Sequence, residues 1–396
     1  MNANFTPNYV QGWIGLAVAF SYNNQQYLQS THIPLDSRSF TIDFWFYATE
    51  MMDNVPYSFA GERHVSENDQ CLFLDIRDRY LYIGFYNDDL IGTTSLSANQ
   101  WYHATFVYDS TIKQQLIYLN GILDNGVIVE SDFVGTSGPF TIGGANIDGN
   151  GPVYSYYSGY IDHFSISYRV KSPCEIYLNA ILFCYFPFDS ALDLLDSGPN
   201  YLNAINSNGI STIGRVNQGI EFSLLLSYIM INGVNILNTV NNSFTISMWI
   251  KPFNLTSGGT LLHTSTQSDG QGNCYALWGL TSSGSFVMNF IDSSNNINPI
   301  IISSLSIPIN QWTHIVQVVN SSNENYLFLN GNLISNISSS TSQAIGSYVF
   351  LGASPNNTSF CQSGSISMGQ FYGIIDEFYV FAKALTSTDI FRLANP

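Results

Sequence analysis

The sequence predicts an all-β chain folded as two antiparallel β-sandwiches in tandem, each closed by a short helix, and three observations carry that expectation. The first is a repeat of domain length: Ser39-Phe40-Thr41-Ile42-Asp43-Phe44-Trp45-Phe46 returns as Ser243-Phe244-Thr245-Ile246-Ser247-Met248-Trp249-Ile250. The second is a series of short runs rich in β-branched and aromatic residues, each ending in Gly, Asn, Asp or Ser. The third is that only Ser172–Ala180 and Ser387–Ala394 read as helices, each at the end of a copy.

Further blocks repeat in the same order. Gln100-Trp101-Tyr102-His103 returns as Gln311-Trp312-Thr313-His314, Tyr118-Leu119-Asn120-Gly121 as Phe328-Leu329-Asn330-Gly331, and Gly159-Tyr160-Ile161-Asp162 as Gly373-Ile374-Ile375-Asp376. The offset drifts from 204 (39 to 243) to 214 (159 to 373), far beyond the period of a solenoid, so whole domains repeat. The expected boundaries are 1–180 and 181–396. Strands are expected at 40–47, 80–86, 101–108, 115–119 and 164–168, with Asn120-Gly121 and Asn330-Gly331 as hairpin turns. The helices start at Ser or Thr caps followed by Glu175 and Asp389. The second copy opens with Leu182-Phe183-Cys184-Tyr185-Phe186-Pro187-Phe188-Asp189 and then Asp196-Ser197-Gly198-Pro199-Asn200; residues 1–11 contain nothing like it. The first sandwich is therefore expected to lack its opening strand, or the chain to be cut from a longer array.

Composition narrows the function. Only 10% of residues are charged while 45% are hydrophobic, so Asn, Ser, Thr, Gly and Tyr must cover much of the surface, as suits an extracellular protein. With 11 basic against 28 acidic residues the net charge is −17, which removes the attraction that drives binding to nucleic acid or anionic membranes. No uncharged apolar run reaches the length of a membrane-spanning helix, so no membrane insertion is expected. The apolar stretch Gly12–Phe20 lacks a basic flank and a clean cleavage site, and Gly15–Phe20 aligns with Gly219–Phe222; it reads as a strand rather than a signal peptide. The chain is then a mature form or an excerpt of a longer one.

Five cysteines fit no zinc spacing. Cys274 and Cys361, both in loops of the second copy, are the expected disulfide; Cys174 and Cys184, flanking the passage between copies, are the next expected pair. Cys71 is left as a buried thiol or as a partner for another chain. Seven Asn-x-Ser/Thr acceptors, at Asn4, Asn241, Asn254, Asn320, Asn336, Asn356 and Asn357, add to the case for secretion.

The Phe-Asp opening with its Asp-Ser-Gly-Pro-Asn, the Ser-Phe-Thr-Ile-x-x-Trp strand, the Gln-Trp-x-His strand, the Leu-Asn-Gly hairpin and the Gly-x-Ile-Asp-x-Phe strand before a short helix together resemble the laminin G-like branch of the concanavalin A-like lectin/glucanase superfamily. The resemblance covers residues 182–395 fully and about 12–180 less completely. It implies jelly-roll sandwiches that serve in adhesion and in recognition of glycans or proteins. Domains similar to these often hold calcium between an N-terminal acid and an Asp on the last strand, positions that Asp189 and Asp376 occupy here. Calcium takes roughly six to eight oxygens, so backbone carbonyls and water would complete such a shell. The alternative is that Asp162 and Asp376 cap a turn through backbone amides.

For a sugar ligand the expected site is Tyr154, Tyr156 and Tyr157 beside Asn146, Asp148 and Asn150, because pyranose rings stack on flat aromatic faces while amides and carboxylates bind hydroxyls. Tyrosines alternating on a strand can instead pack inward. Trp45, Trp101, Trp249 and Trp312 are assigned to core packing. No paired acids stand in the one-strand arrangement of the glucanases. Glu62, Glu67 and Asp69 read as a polar loop, and His103 and His314 as strand histidines bonded to backbone. The expected function is non-enzymatic recognition of a glycan or an extracellular protein, with the alternative of a structural subunit that assembles through the open sheet edge of the first copy.

Overall fold

The computed structural model describes residues 2–63, 67–135, 137–145, 155–190, 194–240, 242–292, 294–303, 307–322, 324–338, 345–355 and 361–395. The chain separates into two compact units, Met1–Ala180 and Ile181–Pro396, each a sandwich of two antiparallel sheets.

In the first unit the front sheet orders its strands Ile122–Ile128, Gln114–Leu119, Trp101–Asp109, Phe40–Ala48, Gly159–Ser167, Leu16–Phe20 and Asn8–Gln11. The back sheet runs from Asn2–Ala3 through Leu28–Gln29, Phe140–Ile142, Tyr57–Arg63, Cys71–Arg77 and Tyr80–Gly84 to Asp89–Ile91. Alternation along Phe40–Ala48 sends Phe40, Ile42, Phe44 and Phe46 into the core, where they meet Ala104, Phe106, Phe59, Leu72 and Leu74. Thr41, Asp43, Trp45 and Tyr47 consequently point to the outer face of the front sheet. The strand Gly159–Ser167 carries a bulge at His163, whose φ is +48°, and its pairing with Phe40–Ala48 shifts between Asp162 and Ser165. The extra residue lets Asp162 and Ser165 share the outer face.

The second unit repeats this plan. Its front sheet orders Ile210–Ile213, Gln218–Phe222, Gly373–Phe381, Phe244–Pro252, Thr313–Val319, Glu324–Leu329 and Asn332–Ser338, and the bulge recurs at Glu377 with φ +52°. Asn120-Gly121 and Asn330-Gly331 both turn with two positive φ angles, +51° and +79° against +47° and +82°, as the tight hairpins require. Gly121 has a second reason to lack a side chain: a Cβ there would stand 2.9 Å from the Tyr177 backbone in the closing helix. That helix, Pro173–Ile181, starts at a Ser172 and Glu175 capping pair; its partner in the second unit, Ser387–Leu393, starts at Thr386 and Asp389.

The first unit's gap has a defined shape. Residues 2–11 do not cover it: Asn2–Ala3 pairs with Leu28–Gln29 and Asn8–Gln11 with Leu16–Phe20, just as Ala204–Ser207 and Ile210–Ile213 pair in the second unit. Pro7, between these two short strands, lacks the N–H a continuous ladder would use. Among the described residues, the first unit shows no counterpart of Leu182–Phe186, the strand that covers the second half of Gly373–Phe381. Residues 2–11 therefore leave this part of the edge uncovered.

Candidate functional site

The outer face of the first unit's front sheet gathers aromatic side chains from four separate segments. Trp45 projects from the central strand, and the turn Gly12–Gly15 lays Trp13 flat upon it, ring centroids 4.3 Å apart and planes 19° apart. That turn is pinned by Asp162, whose Oδ2 accepts the Ile14 amide at 2.8 Å. Alongside, Tyr47 and Tyr160 stack at 5.2 Å and 15°, and Trp101 joins the two pairs, 5.7 Å from Tyr47 and 6.4 Å from Trp13. Trp45 is buried beneath, while Trp13, Tyr47, Trp101 and Tyr160 are half-buried.

Polar groups border the rings. The half-exposed His163 places Nδ1 3.1 Å from Asp162 Oδ1. Beneath them, Lys171 Nζ donates to Asp43 Oδ2 at 2.6 Å, Ser165 Oγ donates to the same oxygen, and His103 stands edge-on to Trp45 with Nε2 3.8 Å from Asp43 Oδ1. Burial pushes His103 down to about 4, against the pull of Asp43, so its imidazole is neutral at physiological pH. The arrangement offers flat apolar faces flanked by hydrogen-bonding groups, the chemistry that suits the C–H faces and hydroxyls of a sugar.

The second unit builds the same backbone and decorates it differently. Ladder pairing matches Trp45 with Trp249, His103 with His314, Tyr47 with Lys251 and Tyr160 with Ile374, and the repeated Gln-Trp-x-His block matches Trp101 with Trp312. Trp13 becomes Arg215, whose guanidinium carbon lies 4.7 Å from the centre of the Trp249 ring. Ser247 replaces Asp43, and its hydroxyl sits 2.8 Å from His314 Nε2.

Of the expected tyrosine site, the two described tyrosines face inward. Tyr156 and Tyr157 are buried, Tyr157 against Phe59 at 5.0 Å and Tyr156 edge-on to Tyr22, because the short strand Ser155–Tyr156 turns them under the sheet. Tyr154, Asn146, Asp148 and Asn150 lie outside the described residues. Trp45 and Trp249 are buried as assigned, but beneath Trp13 and Arg215 on the outer face of the front sheet, while Trp101 and Trp312 are only half-buried. Sequence reading missed this cluster because its residues come from four segments. The usable signal was the parity of Trp45 and Tyr47 against Phe40, Phe44 and Phe46.

Asp376 and Asp189 both work on the turn Gly214–Gln218. Asp376 Oδ2 accepts the amides of Arg215 (2.6 Å) and Val216 (3.0 Å), its Oδ1 accepts that of Glu377 (2.9 Å), and Asp189 accepts that of Gln218 at 3.2 Å. Burial nevertheless pushes Asp376 up to about 7, the amides only partly countering it. Both Asp376 oxygens thus accept backbone amides, and no cluster of three metal-ligating side chains occurs among the described residues.

Cys274 and Cys361 are disulfide-bonded, 87 residues apart, holding Gln362 alongside Tyr275. Cys174 and Cys184 are not bonded. Cys174 is exposed in the first turn of the closing helix, and Cys184 is buried on the strand Leu182–Phe186. Cys71, at the start of the strand matching Cys274's, is a buried thiol packed on Phe73 and Tyr82. Glu62 is a buried strand residue rather than a loop acid; it meets His32 Nδ1 at 2.6 Å and accepts the Ile33 amide. Of the glycan acceptors, Asn4, Asn254 and Asn336 are exposed, Asn4 donating its side-chain amide to Gln25 O, whereas Asn320 is half-buried and donates its side-chain amide to Glu324. Asn241, Asn356 and Asn357 lie outside the described residues.

A family model described as the concanavalin A-like lectin/glucanases superfamily, of laminin G type, matches residues 22–177 and again 227–391. The chain belongs to this superfamily. No curated protein matches it. Among solved structures it is similar to the botulinum neurotoxin serotype D binding domain (16% identity, TM-score 0.42) and the binding domain of Paraclostridial Mosquitocidal Protein 1 (23% identity, TM-score 0.42). Each match covers 55% of this chain and 52% of the other, about half the length of either. Neither the glucanase nor the lectin half of the superfamily's description is decided by membership.

Proposed function

We propose that this chain is a non-enzymatic, extracellular recognition module whose first unit binds glycans on the outer-face aromatic platform. The observation that carries this reading is the cluster of Trp13, Trp45, Tyr47, Trp101 and Tyr160 on one sheet face, three of the five replaced by Arg215, Lys251 and Ile374 in a sister unit of the same fold. A ring pair needed only for stability would be expected in both units. The state of the buried acids supports a binding role over hydrolysis: Glu62 is held by His32 and the Ile33 amide, Asp75 by Ser58 and Arg77, and Asp376 by three amides. The disulfide and the exposed acceptors Asn254 and Asn336 support an extracellular setting.

The test is titration of neutral and acidic oligosaccharides followed by tryptophan fluorescence and calorimetry. Trp13→Ala and Tyr160→Ala should each weaken binding about tenfold or more, the worth of one stacked ring at roughly 1.4 kcal/mol. Binding that survives both substitutions unchanged, or no binding across a broad glycan panel, overturns the reading.

A further inference from the structure

In the second unit, the strand Gly373–Phe381 is covered on one side by two strands end to end. Gln218–Phe222 pairs with its first half and Leu182–Phe186 with its second, Phe186 opposite Phe378 and Cys184 opposite Val380. The added strand seals the core: Phe378, Val380, Cys184 and Phe186 are all completely buried. Its own outer edge is then capped by the Asp-Ser-Gly-Pro-Asn segment. Asp196 Oδ1 accepts the Tyr185 amide at 2.9 Å, Ser197 donates its amide to Tyr185 O, and Asn200 donates to Phe183 O.

The first unit has the same strand and only half the cover. Leu16–Phe20 pairs with Gly159–Ile161, and among the described residues no strand lies beside Phe164–Ser167 on that side. The counterparts of the sealed residues show it: Phe164 and Ile166 pack on the core yet stay partly exposed. In the second unit both backbone groups of Tyr185 face Asp196 and Ser197, so alternation turns Cys184 and Phe186 toward Phe378 and Val380. The same alternation turns the N–H and C=O of Phe164 and Ile166 toward the open edge. Unpaired ladder groups beside a half-sealed apolar core form an acceptor for an added strand.

We propose that this half-edge binds an extended segment of a separate polypeptide, uncharged and apolar at alternate positions, lying antiparallel to Phe164–Ser167 and followed by an Asp/Asn clamp like that of residues 196–200. The occupant's chemistry is fixed by the one strand known to fit this geometry, Leu182–Phe186, and the proposal does not depend on the glycan platform.

The probe is a synthetic peptide spanning residues 181–202 with Cys184→Ala, added to the intact chain. Hydrogen exchange at the Phe164 and Ile166 amides should slow at least tenfold, with the Phe378 and Val380 amides unchanged as the internal control. A peptide with Cys184→Pro, which removes an inward N–H, should give no protection. Three results overturn the proposal: no protection by the first peptide, equal protection by both, or protection already present in the free chain. In the last case sedimentation assigns the cover, to a second copy if protection rises with chain concentration and to the chain's own residues if it does not.

Discussion

Where the first unit stacks Trp13 on Trp45, the second lays Arg215 over Trp249; where the second inserts Leu182–Phe186 into its front sheet, the first leaves Phe164 and Ile166 half-covered. The two units keep the same bulge, the same Asn-Gly hairpin and the same Asp that pins the turn before the early strand, so backbone geometry is common property. The differences fall on the outer face and on one edge. A laminin G-type sandwich tolerates change there because outer-face side chains answer to solvent, whereas inner-face residues answer to a close-packed core. The second unit is the better sealed and stapled; the first carries the stacked aromatic face and the half-covered edge.

The sharpest way to break that contrast is to remove the staple. Cys274 and Cys361 close a loop of 87 residues, for which the chain-entropy model gives about 4–5 kcal/mol. Replacing both with alanine should lower the melting transition of the second unit sharply and leave that of the first in place, as calorimetry of the intact chain would show. A common shift of both transitions would mean that the units do not melt independently.

Next in size is the pinned turn. Asp376→Ala strands three amides, while Asp162→Ala strands the Ile14 amide and frees Trp13. At about 1–3 kcal/mol for each buried group left unpaired, less what water recovers, the first change should cost about 2–3 kcal/mol and the second about half as much. The pH dependence distinguishes them further. Asp376 is raised by burial from 3.8 to about 7, so between about pH 4 and 7 the folded chain holds a proton that the unfolded chain has released. Its contribution is therefore present at low pH and is lost as pH rises through that window. The buried His263 and His314, pushed down to about 4, act in the opposite direction. Asp376→Asn subtracts only the first effect, so its stability relative to wild type, measured by urea melts, should rise steadily from pH 4 to pH 7.

Much of this was legible in the sequence, for physical reasons that particular residues show. The strands, the helices at Ser172 and Thr386, and the missing opening follow from alternation, caps and an aligned repeat, all of which are local or counted along the chain. The role of Asp-Ser-Gly-Pro-Asn as an edge clamp was not legible, because Asp196 acts on Tyr185 across a loop. The aromatic platform was half legible: parity placed Trp45 and Tyr47 opposite the phenylalanines, but only tertiary pairing brings Trp13, Trp101 and Tyr160 to them. The tyrosine-rich segment misled because composition reports abundance and not facing. Tyr157 lies in the core.

A smaller effect on stability should accompany a large one on binding when the units exchange decoration. Trp13→Arg copies the second unit's own solution, in which a guanidinium covers the buried tryptophan; the fold should lose no more than about 1 kcal/mol while glycan binding disappears. The reciprocal Arg215→Trp should not create binding, since Lys251 and Ile374 stand where Tyr47 and Tyr160 complete the platform. If Arg215→Trp alone confers binding, the tyrosine pair is dispensable and the site reduces to the stacked tryptophans.

The smallest expected effect is that of a chelator. A calcium ion held by Asp189 and Asp376 would stabilise the folded second unit by RT ln(1 + [Ca]/Kd), about 2.7 kcal/mol at a hundredfold excess over Kd, and its removal would lower that unit's melting transition alone. Both carboxylates are already spent on the Arg215, Val216, Glu377 and Gln218 amides, and a metal would have to compete with those bonds for the same oxygens. The expectation is therefore that excess chelator leaves both transitions within about a degree of their starting values, and that added calcium does the same. A drop confined to the second unit, absent in Asp376→Asn, would show that the turn rearranges to admit the ion, and would extend the difference between the units from surface and edge to metal affinity.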